Sequence, residues 1–222
     1  MIKLMTYNIC RTEGMDGVKS VQRIADVIKE SGAQIVCLQE VTSNQINQPV
    51  ELAARLGMNY GFQKNITEGD GHYGTALLTS FEIINEKHYS LTSVDEQRGA
   101  HEVGIQTPDG YLTVFCTHLG LEEEERIKQT CELADIVNAV IGPKVVCGDF
   151  NEEINAPGVA AFIKNTSLVD ADPSGALTFD SVNPDRRIDM IFCSPSIKVE
   201  SINVINTQAS DHMPLIVELS IS

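Results

Sequence analysis

The chain has 222 residues, 42% of them hydrophobic, and a formal net charge of −15 from sixteen Lys+Arg against thirty-one Asp+Glu. This length and apolar share suit a single domain over residues 1–222 with one substantial core. No apolar run approaches the ~20 residues that cross a bilayer, and the acidic balance disfavours a surface dedicated to nucleic-acid phosphates.

Met1-Ile2-Lys3-Leu4-Met5 leads straight into an apparent strand without a signal-peptide pattern, so the expected location is cytoplasmic. That strand is Lys3–Ile9. Val18, Val21, Ile24, Ala25 and Ile28 then recur at helical spacing within Gly17–Ser31, and Gly32 supplies a stop. Gln34–Gln39 is a compact apolar strand ending at Glu40, and Asn44–Leu56 is expected as a helix capped by Gly57. Strand patterns follow at Asn59–Ile66, Tyr73–Thr79 and Ile83–Leu91. Glu102–Thr107 and Tyr111–Thr117 flank Pro108-Asp109-Gly110, the signature of an antiparallel hairpin.

Glu122–Ile141 is the longest predicted helix, with Ile127, Cys131, Ala134, Val137 and Ile141 as its apolar face. Its glutamate-rich first turn complements the helix dipole and needs no metal-binding explanation. Lys144–Cys147 is a buried strand ending in Gly148-Asp149-Phe150-Asn151, a short helix covers Gly158–Lys164, and Ile188–Cys193, Val199–Ile205 and Pro214–Leu219 close the chain as strands. Helices alternating with strands in both halves, and a hairpin between them, predict two packed sheets with helices outside. Of six cysteines, Cys37, Cys116, Cys147 and Cys193 lie in apolar strand-like runs and read as small buried hydrophobes; no CxxC pair points to zinc.

Polar residues cluster where the apolar strands end. Asn8 follows Leu4–Tyr7, Glu40 follows Ile35–Gln39, His118 follows Leu112–Thr117, and Asp149 and Asn151 follow Val145–Gly148. Asp189 lies in Arg187-Ile188-Asp189-Met190, and Asp211 and His212 lie in Ser210-Asp211-His212. Taken singly, each has an ordinary role as a cap, a turn residue or a structural histidine. Together they hold what phosphoester hydrolysis requires: oxygen ligands for Mg²⁺ or Mn²⁺, a carboxylate to hold or deprotonate water, and a histidine oriented by a carboxylate. No GxGxxG follows the first strand, and P-loop, GxSxG and HExxH motifs are absent from the sequence.

The ordered set Thr6-Tyr7-Asn8, Gln39-Glu40, Thr117-His118-Leu119, Gly148-Asp149-Phe150-Asn151, Arg187-Ile188-Asp189 and Ser210-Asp211-His212 resembles the endonuclease/exonuclease/phosphatase superfamily, in particular its small bacterial members. The resemblance implies a four-layer α/β sandwich, two mixed β-sheets packed face to face with helices outside. It also implies a divalent-metal-dependent phosphodiesterase or phosphatase. Glu40 would be the direct ligand of Mg²⁺ or Mn²⁺, with Asn8 and Asp211 supporting the metal. Asp149 and Asn151 would position water and phosphate, His212 paired with Asp189 would be general base or phosphate ligand, and His118 would stabilise the phosphoryl or leaving group. Arg98 and Tyr73 are candidate substrate contacts. A small or lipid-headgroup phosphorylated substrate is favoured over DNA or RNA on charge. A non-catalytic binding module would be marked by loss of Glu40, Asp149 or His212, and all three are present. No protein partner is legible, and no glutamate partner for His118 stands out.

Overall fold

The computed structural model describes residues 1–44 and 46–221. Among them, twelve strands form two six-stranded mixed sheets, and four α-helices cover the outer faces. One sheet contains β1 (Ile2–Asn8), β2 (Ile35–Thr42), β3 (Asn59–Glu68), β4 (Gly71–Thr79), β11 (Ile197–Val204) and β12 (Leu215–Ile221), in the order β11-β12-β1-β2-β4-β3. The other contains β5 (Glu82–Leu91), β6 (Arg98–Thr107), β7 (Gly110–His118), β8 (Lys144–Asp149), β9 (Val169–Asp170) and β10 (Asp189–Cys193), in the order β5-β6-β7-β8-β10-β9.

At the heart of each sheet lies one parallel pair, β1 with β2 and β7 with β8; every other pairing is antiparallel. Side chains alternate across these strands, so each sheet has two apolar faces to bury. Leu4, Cys37, Leu77, Val114, Cys116, Val145, Cys147, Ile191 and Val217 fill the space between the sheets. The cysteines Cys37, Cys116, Cys147 and Cys193 are buried free thiols, as expected.

On the outer face of the first sheet, Met5, Tyr7, Val36 and Leu38 meet α1 (Val21–Ser31) and α2 (Gln48–Leu56). On the second, Phe115, Phe150 and Phe192 meet α3 (Glu123–Asn138) and α4 (Pro157–Asn165). There Phe150, Phe162 and Phe192 stack mutually at 5.3–5.9 Å between ring centroids, each pair adding about 0.5–1.5 kcal/mol beyond its buried area.

Three expectations change at helix ends. The first helix begins at Val21 because the Ser20 side chain accepts from Arg23 N and caps it; Val18, counted in its apolar face, is exposed. The second begins at Gln48, capped by Asn47; within the expected span, Gln45 lies outside the described residues. The long helix ends at Asn138 and buries Glu125, Gln129, Leu133, Ala134 and Val137, so Cys131 and Ile141 face solvent. Glu125 and Gln129 override the apolar pattern because they hydrogen-bond each other, the backbone of Val94 and Gly120, and the Thr92 carbonyl. Glu125 in the glutamate run is therefore a structural anchor.

Candidate active site

The parallel strands β1, β2, β7 and β8 all end at one rim of the sandwich, and the alternation that builds the core also supplies its polar cap. Leu4, Val114, Val145 and Ile191 point between the sheets. Continuing the same face to the strand ends brings in Asn8, His118, Asp149 and Asp189. The ladders then fix their spacing, since His118 pairs with Asp149 and Asp189 pairs with Asp149 from the other side.

Glu40 reaches this rim by a different device. Regular alternation would send it outward beside Leu38, but β2 carries a bulge between Leu38 and Val41, and Glu40 sits at φ 55°. A non-glycine residue in the left-handed region costs on the order of 1–3 kcal/mol; here it turns a carboxylate towards Asn8. Gly148 is required by a close approach: at φ 154°, an added Cβ would lie 1.9 Å from the Thr117 carbonyl oxygen.

The contacts converge on Asp149. Asn8 Nδ2 donates to Asp149 Oδ2 at 3.0 Å and to Glu40 Oε1 at 3.2 Å. Asn8 Oδ1 accepts from Cys10 N at 3.0 Å, and Ser210 Oγ donates to the Asn8 carbonyl at 2.8 Å. Asp149 Oδ1 accepts from Asn151 N at 2.8 Å, while the Asn151 amide donates to the Leu119 carbonyl at 2.9 Å. His212 Nδ1 lies 2.8 Å from Asp189 Oδ2, and its Nε2 lies 3.7 Å from Asp149 Oδ2. On the opposite side, His118 Nε2 is 3.6 Å from the same oxygen, and its Nδ1 lies 3.0 Å from Arg98 Nη1.

Electrostatics separates the two histidines. Burial pulls His212 down, but the carboxylates of Asp189 and Asp149 outweigh it and push the ring up to about 10. Burial, reinforced by the cations Arg98 and His212, holds His118 well below its usual value and keeps it neutral. Burial also pushes Asp149 up to about 6, with the Asp189 charge adding and His212 opposing. Glu40 is raised by burial and by Asp211, against its hydrogen bond from Asn8.

The donor chemistry suits a hard divalent cation. Glu40, Asp149, Asp189 and Asp211 lie close enough to act electrostatically on the His212 imidazolium or on one another, and Asp189 Oδ1 is buried without a hydrogen-bond partner. Ligand atoms of Asp149, Asp189 and His212 also lie within 4.8 Å of one another, a spacing able to hold an ion.

The model of the Endonuclease/Exonuclease/phosphatase family matches residues 5–212. The chain belongs to the endonuclease/exonuclease/phosphatase family. The uncharacterized protein YbhP of Escherichia coli (strain K12) is 30% identical over 220 residues, covering 88% of this chain and 87% of YbhP. An endonuclease/exonuclease/phosphatase structure from Beutenbergia cavernae DSM 12333 superposes with a TM-score of 0.87 at 23% identity, over all of this chain and 72% of that one. A mannosyl-6-phosphatase from Bacteroides thetaiotaomicron VPI-5482 superposes with a TM-score of 0.81 at 20% identity, over the full length of both chains.

Within this family fold, every candidate site residue lies at or beside the rim. Arg98, at the start of β6, pairs with Glu96 at 2.6 Å as well as with His118. Tyr73, at the outer end of β4, is buried, and Arg11 lies over its ring at 4.6 Å. Two further residues join the rim without a sequence signal: Arg11, whose guanidinium also grips Glu68 at 2.7 Å, and Phe179, whose ring lies 4.8 Å from that of His212. Both sit outside regular strands, where no alternation marks a direction. Arg187, quoted as part of a motif, makes a two-pronged ion pair with Asp170 at 2.6 and 2.9 Å and anchors the segment that presents Asp189.

Proposed function

We propose that the protein is a divalent-metal-dependent phosphoester hydrolase, acting on a small or headgroup-like phosphorylated substrate by attack of an activated water. The observation that carries this reading is the convergence on Asp149 of Asn8, His118 and His212, the last held by Asp189.

Glu40 would hold Mg²⁺ or Mn²⁺ directly, with Asn8 orienting its carboxylate and Asp211 adding charge alongside. Such a cation would supply charge neutralisation at the phosphoryl oxygens. Asp149 accepts the proton of the attacking water: a carboxyl raised to about 6 is ionised at neutral pH yet basic enough to take a proton in the transition state. His212, kept as imidazolium by Asp189, ligates the phosphoryl oxygen and stabilises developing charge. Neutral His118 accepts from Arg98 at Nδ1, leaving Nε2–H as a donor to a phosphoryl or leaving oxygen. Asn151 holds the Leu119 backbone and Asp149 in register, and Arg98 and Tyr73 flank the substrate.

The net charge of −15 supports a compact phosphate over a long nucleic acid, and the structural likeness to a mannosyl-6-phosphatase is in keeping with it. Six free cysteines, four of them buried, fit a reducing cytoplasm. Among the described residues, no helix is long and apolar enough to cross a membrane. The test is hydrolysis of a panel of sugar phosphates, inositol phosphates, phospholipid headgroup diesters and abasic DNA, with wild type and His212→Ala. Metal-dependent turnover of a small ester, lost in the variant, is the expected result. Turnover confined to DNA with a steep salt dependence would overturn the substrate assignment, and an equally active variant would overturn the site.

A further inference from the structure

Of the protein's five histidines, His88 lies on β5 and His101 on β6, where His101 pairs with Cys116, two residues before the candidate active-site His118. His88 and His101 face each other directly across the antiparallel ladder between these strands. Their rings meet edge-on at 4.9 Å between centroids. Glu86, two residues before His88, points to the same face. Its Oε2 lies 3.0 Å from His101 Nε2 and 3.8 Å from His88 Nε2, and one ligand atom from each of the three residues lies within 4.8 Å of the other two.

The face matters. His101 belongs to the row of Val103 and Ile105, which fills the space between the two sheets. It is fully buried, and its Nδ1 has no hydrogen-bond partner. Glu86 and His88 are exposed at the edge of the same space. From the opposite sheet, β3 presents Gly61, where an added Cβ would stand 2.3 Å from Glu86 Oε2 and 3.0 Å from His101 Cε1. Glycine in mid-strand weakens a strand and often marks a close approach; here it leaves the cluster its room. The neighbouring cation Lys87 points to the other face and pairs there with Glu102 at 3.0 Å, so it does not neutralise Glu86.

We propose that Glu86, His88 and His101 form a second metal site, selective for Zn²⁺ or a chemically similar borderline cation. Two imidazoles and one carboxylate on one face match the ligand set that such cations favour, whereas Mg²⁺ prefers oxygen donors. Three protein ligands leave a fourth position for water. A cation there clamps the edge strand β5 to β6, next to the gap between the sheets. The ligand chemistry differs from that of Glu40, Asn8 and Asp211, so the two sites would take different metals from a mixture.

Comparing Zn²⁺ titrations of chelator-treated Glu40→Gln protein with and without a cluster substitution separates this cluster from the candidate active site, where Asp149, Asp189 and His212 remain. Calorimetry is expected to show binding that weakens at least tenfold when His88→Ala or Glu86→Gln is added to that background. At a hundredfold excess over Kd, Tm should rise by roughly 5–10 °C with the cluster intact, and not in the double variants. Co²⁺ in place of Zn²⁺ should give visible absorption of a nitrogen-ligated, four-coordinate ion. His88 is exposed, so its variant should fold; Glu86→Gln is the isosteric second variant. His88→Ala on its own should leave Mg²⁺-dependent hydrolysis unchanged. Zn²⁺ affinity equal in the cluster-intact and cluster-variant proteins, or no Zn²⁺ binding by either, would overturn the proposal.

Discussion

Asp189 never touches substrate in this account, yet its replacement should be costly. The rise of His212 from 6.5 to about 10 corresponds to roughly 5 kcal/mol in favour of the imidazolium, at 1.36 kcal/mol per pH unit. Burial acts against that rise, and Asp189 is first among the carboxylates that overcome it, ahead of Asp149 and Asp211. Assigning Asp189 about 2 kcal/mol of the effect, Asp189→Asn should lower the ring's value by about 1.5 pH units. The same energy is a factor of about 30 in rate, if the imidazolium stabilises the transition state. The amide also presents an N–H towards Nδ1 and upsets the ring's proton arrangement; the matching change in a Ser-His-Asp triad costs about 10⁴-fold. The expected loss in kcat therefore lies between roughly 30-fold and 10⁴-fold. Activity requires the imidazolium, so the alkaline limb of the kcat/KM profile should move to lower pH. Steady-state rates from pH 6 to 10, on protein with an unchanged circular dichroism spectrum, provide the assay. A kcat within threefold of wild type and an unmoved alkaline limb would show that Asp189 does not hold His212 as the imidazolium.

Other variants probe the scaffold. Glu40 is raised above its unfolded value, so its ionised form opposes folding once pH exceeds the usual carboxyl range. Glu40→Gln should therefore melt higher than wild type in chelator, yet lose the Mg²⁺-induced gain in Tm; a lower melting point in chelator would contradict this. Gly148→Ala drives a Cβ into the Thr117 carbonyl and should cost at least about 3 kcal/mol, or roughly 6–12 °C in Tm by calorimetry; a loss under 2 °C would show that the strand end relaxes freely. His101, lowered by burial, contributes stability that is present above pH 6.5 and lost as pH falls through its folded value. In chelator, denaturant titrations should show wild type losing stability faster than His101→Gln below pH 6.5; parallel curves would count against a neutral buried ring.

Much of this site was legible because strand alternation does two jobs. The period that hides Leu4, Val114 and Val145 between the sheets also points Asn8, His118 and Asp149 into the rim. Their appearance directly after apolar runs was therefore informative. Glu40 was found by its position at a strand end, but the bulge that turns it inward has no local glycine or proline to betray it. Arg11 and Phe179 were invisible because they reach the site from irregular backbone. The face of α3 was misjudged for a related reason. Glu125 and Gln129 look like surface residues in sequence, and the backbone of the distant loop at Thr92–Val94 and of Gly120 supplies the partners that let them be buried. The short strand β9 carries too few residues to show a period at all.

Metal add-back on chelator-treated protein probes the metal-dependent hydrolysis itself, with wild type, Glu40→Gln and Asp149→Asn assayed side by side on the best small phosphoester of the panel. The expected outcome is no turnover without metal, saturable recovery with Mg²⁺ or Mn²⁺ in wild type alone, and folded but inactive variants. Turnover that persists in excess chelator, or full recovery in Glu40→Gln, would contradict it.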